Sequence, residues 1–527
     1  MKFVILYLLL GTCILLSCKE PKNNTDATPS ITIAESVTQL FMDSSRIENF
    51  ITGNKIPDST AKYLRRFYKG RNYQFAWFNN DGMAAYTSTF YNMYTDYAAY
   101  AADSTAIFNT LPALYDSLST VTAFTENDSM AASADLLLTL QFFRYARRAY
   151  SGNPQLDTKE LEWFIPRKKI NLSQLLDSML AAKGKDLTAY EPVNRQYHLL
   201  KEYLVKYYAI EKQGGWQPIK IHNPKIVIGD TASGLQQLKQ RLFLTGDLAE
   251  ADTTLLYNQT TAAAIKKFQR RYGFKEDGKI SSSLLAELNR PVSERIQQLL
   301  INMERIRWVP ATPTGNYLLV NIPEFKLHVY EKGAYAFNMN VVVGTAANST
   351  VIFNGNLKHV VFSPYWNVPP GILKNEVLPA IKRNPNYLAS HNMEWNGGAV
   401  RQKPGPSNSL GLVKFLFPNS YNIYLHDSPA KSLFTESKRA FSHGCIRVAE
   451  PKKLASFLLK DYPEWTDEKI TAAMNKGKEQ YFNLKQTVPV FIGYFTAWVD
   501  RDGLLNFRND VYGHDKKMAA HLLSPVK

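Results

Sequence analysis

One thiol and two histidines carry the chemistry that can be read directly from this chain of 527 residues. Cys445 sits in the string Ser442-His443-Gly444-Cys445-Ile446-Arg447, and His426 lies upstream in Tyr424-Leu425-His426-Asp427. A thiol becomes a useful nucleophile when a neighbouring base or positive charge raises its thiolate fraction. His443, two residues before Cys445, is the natural partner. Residues two apart on a strand point to the same side, so both side chains are expected to face one site. An ordinary thiol, with pKa about 8.5, is mostly protonated at neutral pH, and an imidazolium neighbour lowers that value by one or more units. Spacing alone does not assign His426, which either lines the same site or packs at a strand end.

The other two cysteines belong to the N-terminus. Met1-Lys2 is followed by an apolar stretch from Phe3 to Leu16, containing Cys13, and then by Ser17-Cys18. A positive start with so short an apolar run fits a secretory signal and is too short for a spanning helix. Leu15-Leu16-Ser17-Cys18 resembles the bacterial lipoprotein cleavage site, which implies that Cys18 is acylated and becomes the new N-terminus; the alternative is an ordinary signal peptide with an incidental cysteine. An exported chain left with Cys445 as its one thiol cannot use it for an internal disulfide.

The elements that must position these residues follow from pattern and composition. A hydrophobic content of 45% and a charged content of 20% are ordinary for a globular protein, and the length implies about three or four domains. The net charge of +16 fits an anionic environment such as cell-wall polymer or lipid headgroups, or a generally basic surface. Export argues against nucleic acid as the partner. Residues 1–17 read as a leader, 18–34 as a polar tether, and 35–215 as a helical scaffold whose clearest helices are Asp135 to Tyr150 and Val193 to Ile210. Residues 230–291 read as a compact helical unit, with Leu235, Leu238 and Leu242, then Ala264, Phe268 and Tyr272, at helical spacing and Asp277-Gly278 as a turn. After a helix over Glu294 to Ile306, the period shortens. Tyr317 to Tyr330, Tyr335 to Gly344, Leu357 to Ser363, Ile423 to His426, Gly444 to Val448 and Val488 to Val499 read as strands. They predict a mostly β catalytic domain over 305–500, with 370–407 as an inserted candidate lid and 501–527 as a C-terminal extension. The fold class expected is therefore α+β.

His426, a gap of fifteen residues, and then Ser442-His443-Gly444-Cys445 resemble the signature of the L,D-transpeptidase catalytic domain. Asn302-Met303-Glu304-Arg305, Trp366-Asn367-Val368-Pro369, Gln402 to Gly411, Lys414 to Asn419 and Thr496-Ala497-Trp498 extend the resemblance, and the helical unit at 230–291 looks like a peptidoglycan-binding module. Together they resemble the large L,D-transpeptidases of Gram-negative envelopes. That resemblance implies attack by Cys445 on the carbonyl of the L-centre of diaminopimelate in a tetrapeptide stem, loss of the terminal D-alanine, and transfer of the acyl group to an amine of a neighbouring stem, with water, a free D-amino acid or a protein lysine as alternative acceptors. It also implies inactivation by carbapenems, and a periplasmic place on a lipid anchor. Lys19 stands where an aspartate would signal inner-membrane retention, which favours the outer membrane.

Within this frame His443 is expected to act as general base and acid, and backbone N–H groups near Gly444 and Cys445 as oxyanion donors. The resemblance places His426, Tyr424 and Ser442 along the substrate. Arg447, where many relatives carry asparagine, either binds a substrate carboxylate or braces a loop. Trp366 forms a cleft wall or packs in a core. No cofactor is expected, since no phosphate loop or dinucleotide fingerprint occurs. No metal is expected either, because one cysteine and two histidines leave the usual zinc set incomplete. Two rivals share these features: a cysteine peptidase that hydrolyses wall peptides, and a wall-binding lipoprotein without catalysis.

Overall fold

The structure, a computed structural model, describes residues 38–101, 110–153, 156–183, 191, 193–222, 225–309 and 314–522. The leader, Cys18 and the tether lie outside the described residues. The chain divides into two compact units. One runs to Ser88 and resumes over Asn109–Leu140; the other holds Thr89–Phe108 and everything from Gln141 onward.

In the first unit, helices Ser44–Gly53, Asp58–Gly70 and Leu111–Ser119 surround a short hairpin of β1 (Phe78–Asn79) and β2 (Gly82–Met83). The hairpin is an addition to the mainly helical scaffold expected here. Its approach is fixed by Asp135, which accepts hydrogen bonds from the backbone N–H groups of Ala76 and Trp77 at 2.9 and 2.8 Å and from the Tyr68 hydroxyl at 2.5 Å. A buried carboxylate needs such donors, because burying it unpaired is costly. The expected helices at Asp135 to Tyr150 and Val193 to Ile210 are present as Ser129–Ser151 and Arg195–Lys212.

The second unit contains the three-helix module and the β domain. Helices Leu235–Leu244, Gln259–Tyr272 and Ser282–Leu288 bury Leu235, Leu238, Leu242, Ala264, Phe268, Tyr272 and Leu284. Asn258 and Ser281 cap the second and third helices, and Gly273 ends the second in the left-handed region. The module is fastened to the C-terminal segment: Arg271 pairs with buried Asp247 at 2.5 Å and donates to the Leu505 carbonyl at 2.5 Å, and Arg508 donates back to the Arg271 carbonyl at 2.6 Å.

The β domain is built from β3 (Tyr317–Asn321), β4 (Lys326–Glu331), β5 (Ala334–Gly344), β6 (Phe353–Phe362), β10 (Val413–Leu416), β11 (Leu425–His426), β12 (Ala440–Ser442), β13 (Ile446–Val448) and β14 (Gln480–Gly493). The order is β12-β5-β13-β11-β10-β6-β14-β3-β4, and β4 returns to pair with β5, which closes the sheet into a barrel. Val341, Val342 and Val343, at the end of β5 where it lies between β12 and β13, are all buried instead of alternating. The stretch Tyr317 to Tyr330 is two strands, split by the turn Ile322–Glu324 with Phe325 at φ +56°. Residues beyond 500 are no separate tail: β15 (Ala497–Val499) pairs with β16 (Leu505–Phe507), and Asp515 on the helix His514–Leu522 pairs with Arg305 at 2.5 Å.

The expected lid is a folded insertion that begins before residue 370. β7 (Trp366–Asn367), β9 (Ala399–Gln402) and β8 (Met393–Asn396) form a three-stranded sheet against the helical turns Pro370–Ile372, Leu373–Val377, Leu378–Arg383 and Tyr387–Ser390. It has its own small core of Val368, Val377, Met393 and Val400. The buried Asn408 amide donates to the carbonyls of Pro364 and Lys403 at 3.1 and 2.9 Å, tying together the two ends of the insertion.

Candidate active site

β11 and β13 run parallel, with Leu425 opposite Ile446 and His426 opposite Arg447. Leu425 and Ile446 are both fully buried in the barrel core. Strand alternation therefore sends Tyr424, His426, Cys445 and Arg447 to the other face together. The Ile446 N–H donates to the Tyr424 carbonyl at 3.2 Å, which sets Tyr424 beside Cys445. The Cys445 thiol lies 3.6 Å from the Asn422 carbonyl, and the Tyr424 hydroxyl hydrogen-bonds with the sulfur.

His443 is placed differently from expectation. β12 ends at Ser442 and β13 begins at Ile446, so His443 and Gly444 form a bend, with Gly444 at φ +110°. The alternation that was to put His443 and Cys445 on one side is interrupted there, because a positive φ reverses the local chain direction. His443 is half-exposed, and its Nε2 lies 3.2 Å from Oε1 of Glu376 on the insertion. The hydrogen-bond partners of the Cys445 sulfur are Asn422 and Tyr424.

The bend is rigid. Ser442 Oγ donates to the Cys445 carbonyl at 2.6 Å and accepts from the Gly444 N–H at 3.2 Å. Thr350 Oγ1 donates to the Gly444 carbonyl at 2.8 Å and accepts from the Gly344 N–H at 2.9 Å. Ser442 thus serves as a staple beneath the nucleophile, and it is buried. This corrects the expectation for Gly444: its N–H is already bound to Ser442, so what the glycine contributes is the backbone conformation.

His426 is buried, and its Nδ1 lies 2.5 Å from the Asp427 carbonyl. A carbonyl only accepts, so Nδ1 carries the proton and Nε2 holds the lone pair. Burial, then Arg447, hold the imidazole pKa down to about 3, with Lys414 adding to the effect. Lys414 sits opposite His426 on β10 and lies 3.5 Å from Glu479. The Cys445 pKa is raised, first by burial, with the Tyr424 hydrogen bonds and Arg447 opposing. Both shifts therefore favour a neutral thiol and a neutral His426 imidazole at rest. Arg447 is part-buried, its pKa is lowered by burial, and its Nε has no hydrogen-bond partner among the described residues. Trp366 packs on the core of the insertion.

Lys414, paired opposite His426, and Glu376, in contact with His443, carry no sequence signal of their own. Lys414 appears only within a stretch of family likeness, and Glu376 looks like any exposed helical glutamate.

Comparison with known proteins agrees with this layout. Residues 315–489 match the L,D-transpeptidase catalytic domain family YkuD, residues 62–204 match a scaffold domain, and residues 231–288 match a putative peptidoglycan binding domain. A curated relative from Haemophilus influenzae, a putative L,D-transpeptidase, is 34% identical over 243 residues, covering 42% of this chain and 49% of the relative. The chain thus spans about half the length of that relative. Among solved structures, an L,D-transpeptidase from Xylanimonas cellulosilytica is 16% identical, covering 52% of this chain and 100% of its own, with a TM-score of 0.18. Another from Stackebrandtia nassauensis is 15% identical, covering 53% and 98%, with a TM-score of 0.23. Scores this low carry no weight for the fold, which rests on the strand order described above. Three segments of the chain are thus similar, in order, to a scaffold domain, a putative peptidoglycan binding domain and the YkuD L,D-transpeptidase catalytic domain.

Proposed function

We propose that the protein is a cysteine-dependent L,D-transpeptidase that cross-links peptidoglycan stem peptides. The observation that carries this reading is the shared face of Tyr424, His426, Cys445 and Arg447, created by the parallel pairing of β11 with β13. His426 takes the role of base that the spacing had given to His443. Its Nε2 accepts the thiol proton as the sulfur attacks the carbonyl on the L-centre of diaminopimelate, and the short contact from Nδ1 to the Asp427 carbonyl holds the required tautomer. A neutral thiol beside a neutral imidazole makes that transfer part of the attack. The same proton then goes to the leaving amine of D-alanine, leaving a thioester on Cys445. The Cys445 N–H and the Tyr424 hydroxyl are the donors for the tetrahedral oxyanion. Arg447 and Lys414, flanking His426, supply positive charge for substrate carboxylates. An amine of a second stem takes the acyl group and forms a cross-link between diaminopimelate residues.

The deciding experiment incubates the protein with tetrapeptide-stem muropeptides and follows products and protein by mass spectrometry. Dimers with loss of D-alanine, and an acyl adduct mapped to Cys445, are expected. Conversion to tripeptide without dimers would instead assign hydrolysis. Cys445→Ala is expected to abolish both, and meropenem to acylate Cys445 in the parent protein only.

The leader supports a further part of the reading, that the chain is anchored by lipid on Cys18 and faces the periplasm, on the outer membrane given Lys19. Incorporation of an alkyne-tagged fatty acid that disappears in Cys18→Ala tests it, and fractionation of the two membranes tests the location.

A further inference from the structure

The insertion between β6 and β10 delivers one carboxylate to the catalytic bend. Glu376 belongs to the helical turn Leu373–Val377, in which the hydrogen bonds skip to the fifth residue, a widened turn that recurs at functional sites. Its neighbour Val377 is buried in the core of the insertion, so the backbone under Glu376 is fixed. His443 is fixed from the other side by the bend that Ser442 and Thr350 hold. Two anchored segments, far apart in sequence, thus meet at one contact of 3.2 Å between Glu376 Oε1 and His443 Nε2. A carboxylate at Nε2 holds a proton there and leaves the lone pair on Nδ1. That is the arrangement of a base, and the chemistry at Cys445 already has its own base in His426.

We propose that Glu376 is a positioning residue which holds His443 as a second base, serving the acceptor amine in the transfer half of the reaction. This deepens the proposed function and rests on it. An acceptor amine arrives as an ammonium, which has no lone pair for attack. His443 Nδ1 takes one proton from it. The free amine then forms the C–N bond at the thioester carbonyl, the C–S bond breaks with its electron pair going to sulfur, and a second proton of the nitrogen passes through His426 to the thiolate. The proton on His443 leaves to water. Thiol and both imidazoles return to their starting states, and no outside reactant is needed. The two histidines divide the cycle: His426 serves the sulfur, and His443, backed by the insertion, serves the incoming nitrogen. The half-exposed position of His443 suits a group that must meet a second substrate from solvent.

The test separates the two halves on the full-length protein. Acylation is followed by intact mass with meropenem as probe. Transfer is followed by the rate of dimer formation from tetrapeptide muropeptides over a range of acceptor concentration. Glu376→Gln is expected to leave the acylation rate within about two-fold and to lower the limiting transfer rate at least ten-fold. The concentration of acceptor at half-maximal rate should stay nearly unchanged. His443→Asn should give the same split, and Glu376→Gln should add little to it in the double variant. A structural role would slow acylation and transfer together, and that outcome overturns the proposal, as does unchanged transfer in Glu376→Gln. Absence of any acyl adduct on Cys445 in the parent protein would instead sink the proposed function itself, so the two failures are distinct.

Discussion

His426 stands directly opposite Arg447 across the parallel pairing of β11 and β13, so a buried imidazole faces a guanidinium that has no carboxylate partner among the described residues. The cation and the burial both disfavour a second proton on the ring, while the Asp427 carbonyl fixes where the first one sits. The relationship keeps the His426 ring neutral at neutral pH, which is what its proposed role as base requires.

Replacing His426 by Asn should therefore remove the base from the sulfur. General-base assistance contributes about 10²- to 10⁴-fold, and the acylation rate with meropenem, read by intact mass, should fall within that range. His443→Asn should acylate at close to the parent rate. If His443→Asn abolishes acylation and His426→Asn does not, the assignment is reversed.

The thiol should behave as a thiol at rest. Because burial raises the Cys445 pKa, alkylation by iodoacetamide should show no plateau at acid pH and should climb only above about pH 8.5, the ordinary thiol value. Tyr424→Phe removes a hydrogen bond that favours the thiolate, and should move the curve further to alkaline pH. A fast plateau below pH 7 would mean that a thiolate–imidazolium pair forms after all.

Gly444→Ala probes the bend without filling space, since an added Cβ would meet its nearest neighbours only at 3.8 Å. The cost is conformational, at φ +110°, and strained backbone of this kind costs about 1–3 kcal/mol. Urea denaturation should show a loss in that range, together with slower acylation as the bend relaxes and moves the sulfur. Full retention of both stability and rate would show that the turn is not under tension.

Asp135 links the stability of its own unit to pH. Burial raises its carboxyl from the ordinary 3.8 to about 6, against the lowering effect of its hydrogen bonds. The folded form thus binds a proton more tightly than the unfolded form. The stability this contributes is fully present below about pH 4 and is lost as pH rises through 6. Asp135→Asn should flatten this component of the thermal-melting profile between pH 4 and 6. An unchanged slope in that window would assign it to other groups.

The sequence by itself singled out the candidate nucleophile and determined the α+β class and most elements of the scaffold. Cys445 is the one cysteine beyond the leader and tether, and Leu235, Leu238, Leu242, Phe268 and Tyr272 repeat at a period that only a helix satisfies. Such features depend on residue type and local spacing. The choice of histidine did not. Adjacency in the chain favoured His443, but it lies in a bend beside a glycine at positive φ, where strand alternation no longer says which way a side chain points. His426 gained its place from hydrogen bonds between β11 and β13, strands separated by the whole loop that contains β12. Glu376 reached the site only because the insertion folds around its own small core and is pinned at both ends by Asn408. Backbone sign at a glycine and pairing between distant strands leave no trace in hydrophobic period, and for that reason tertiary structure alone placed His426 on the strand face of the sulfur.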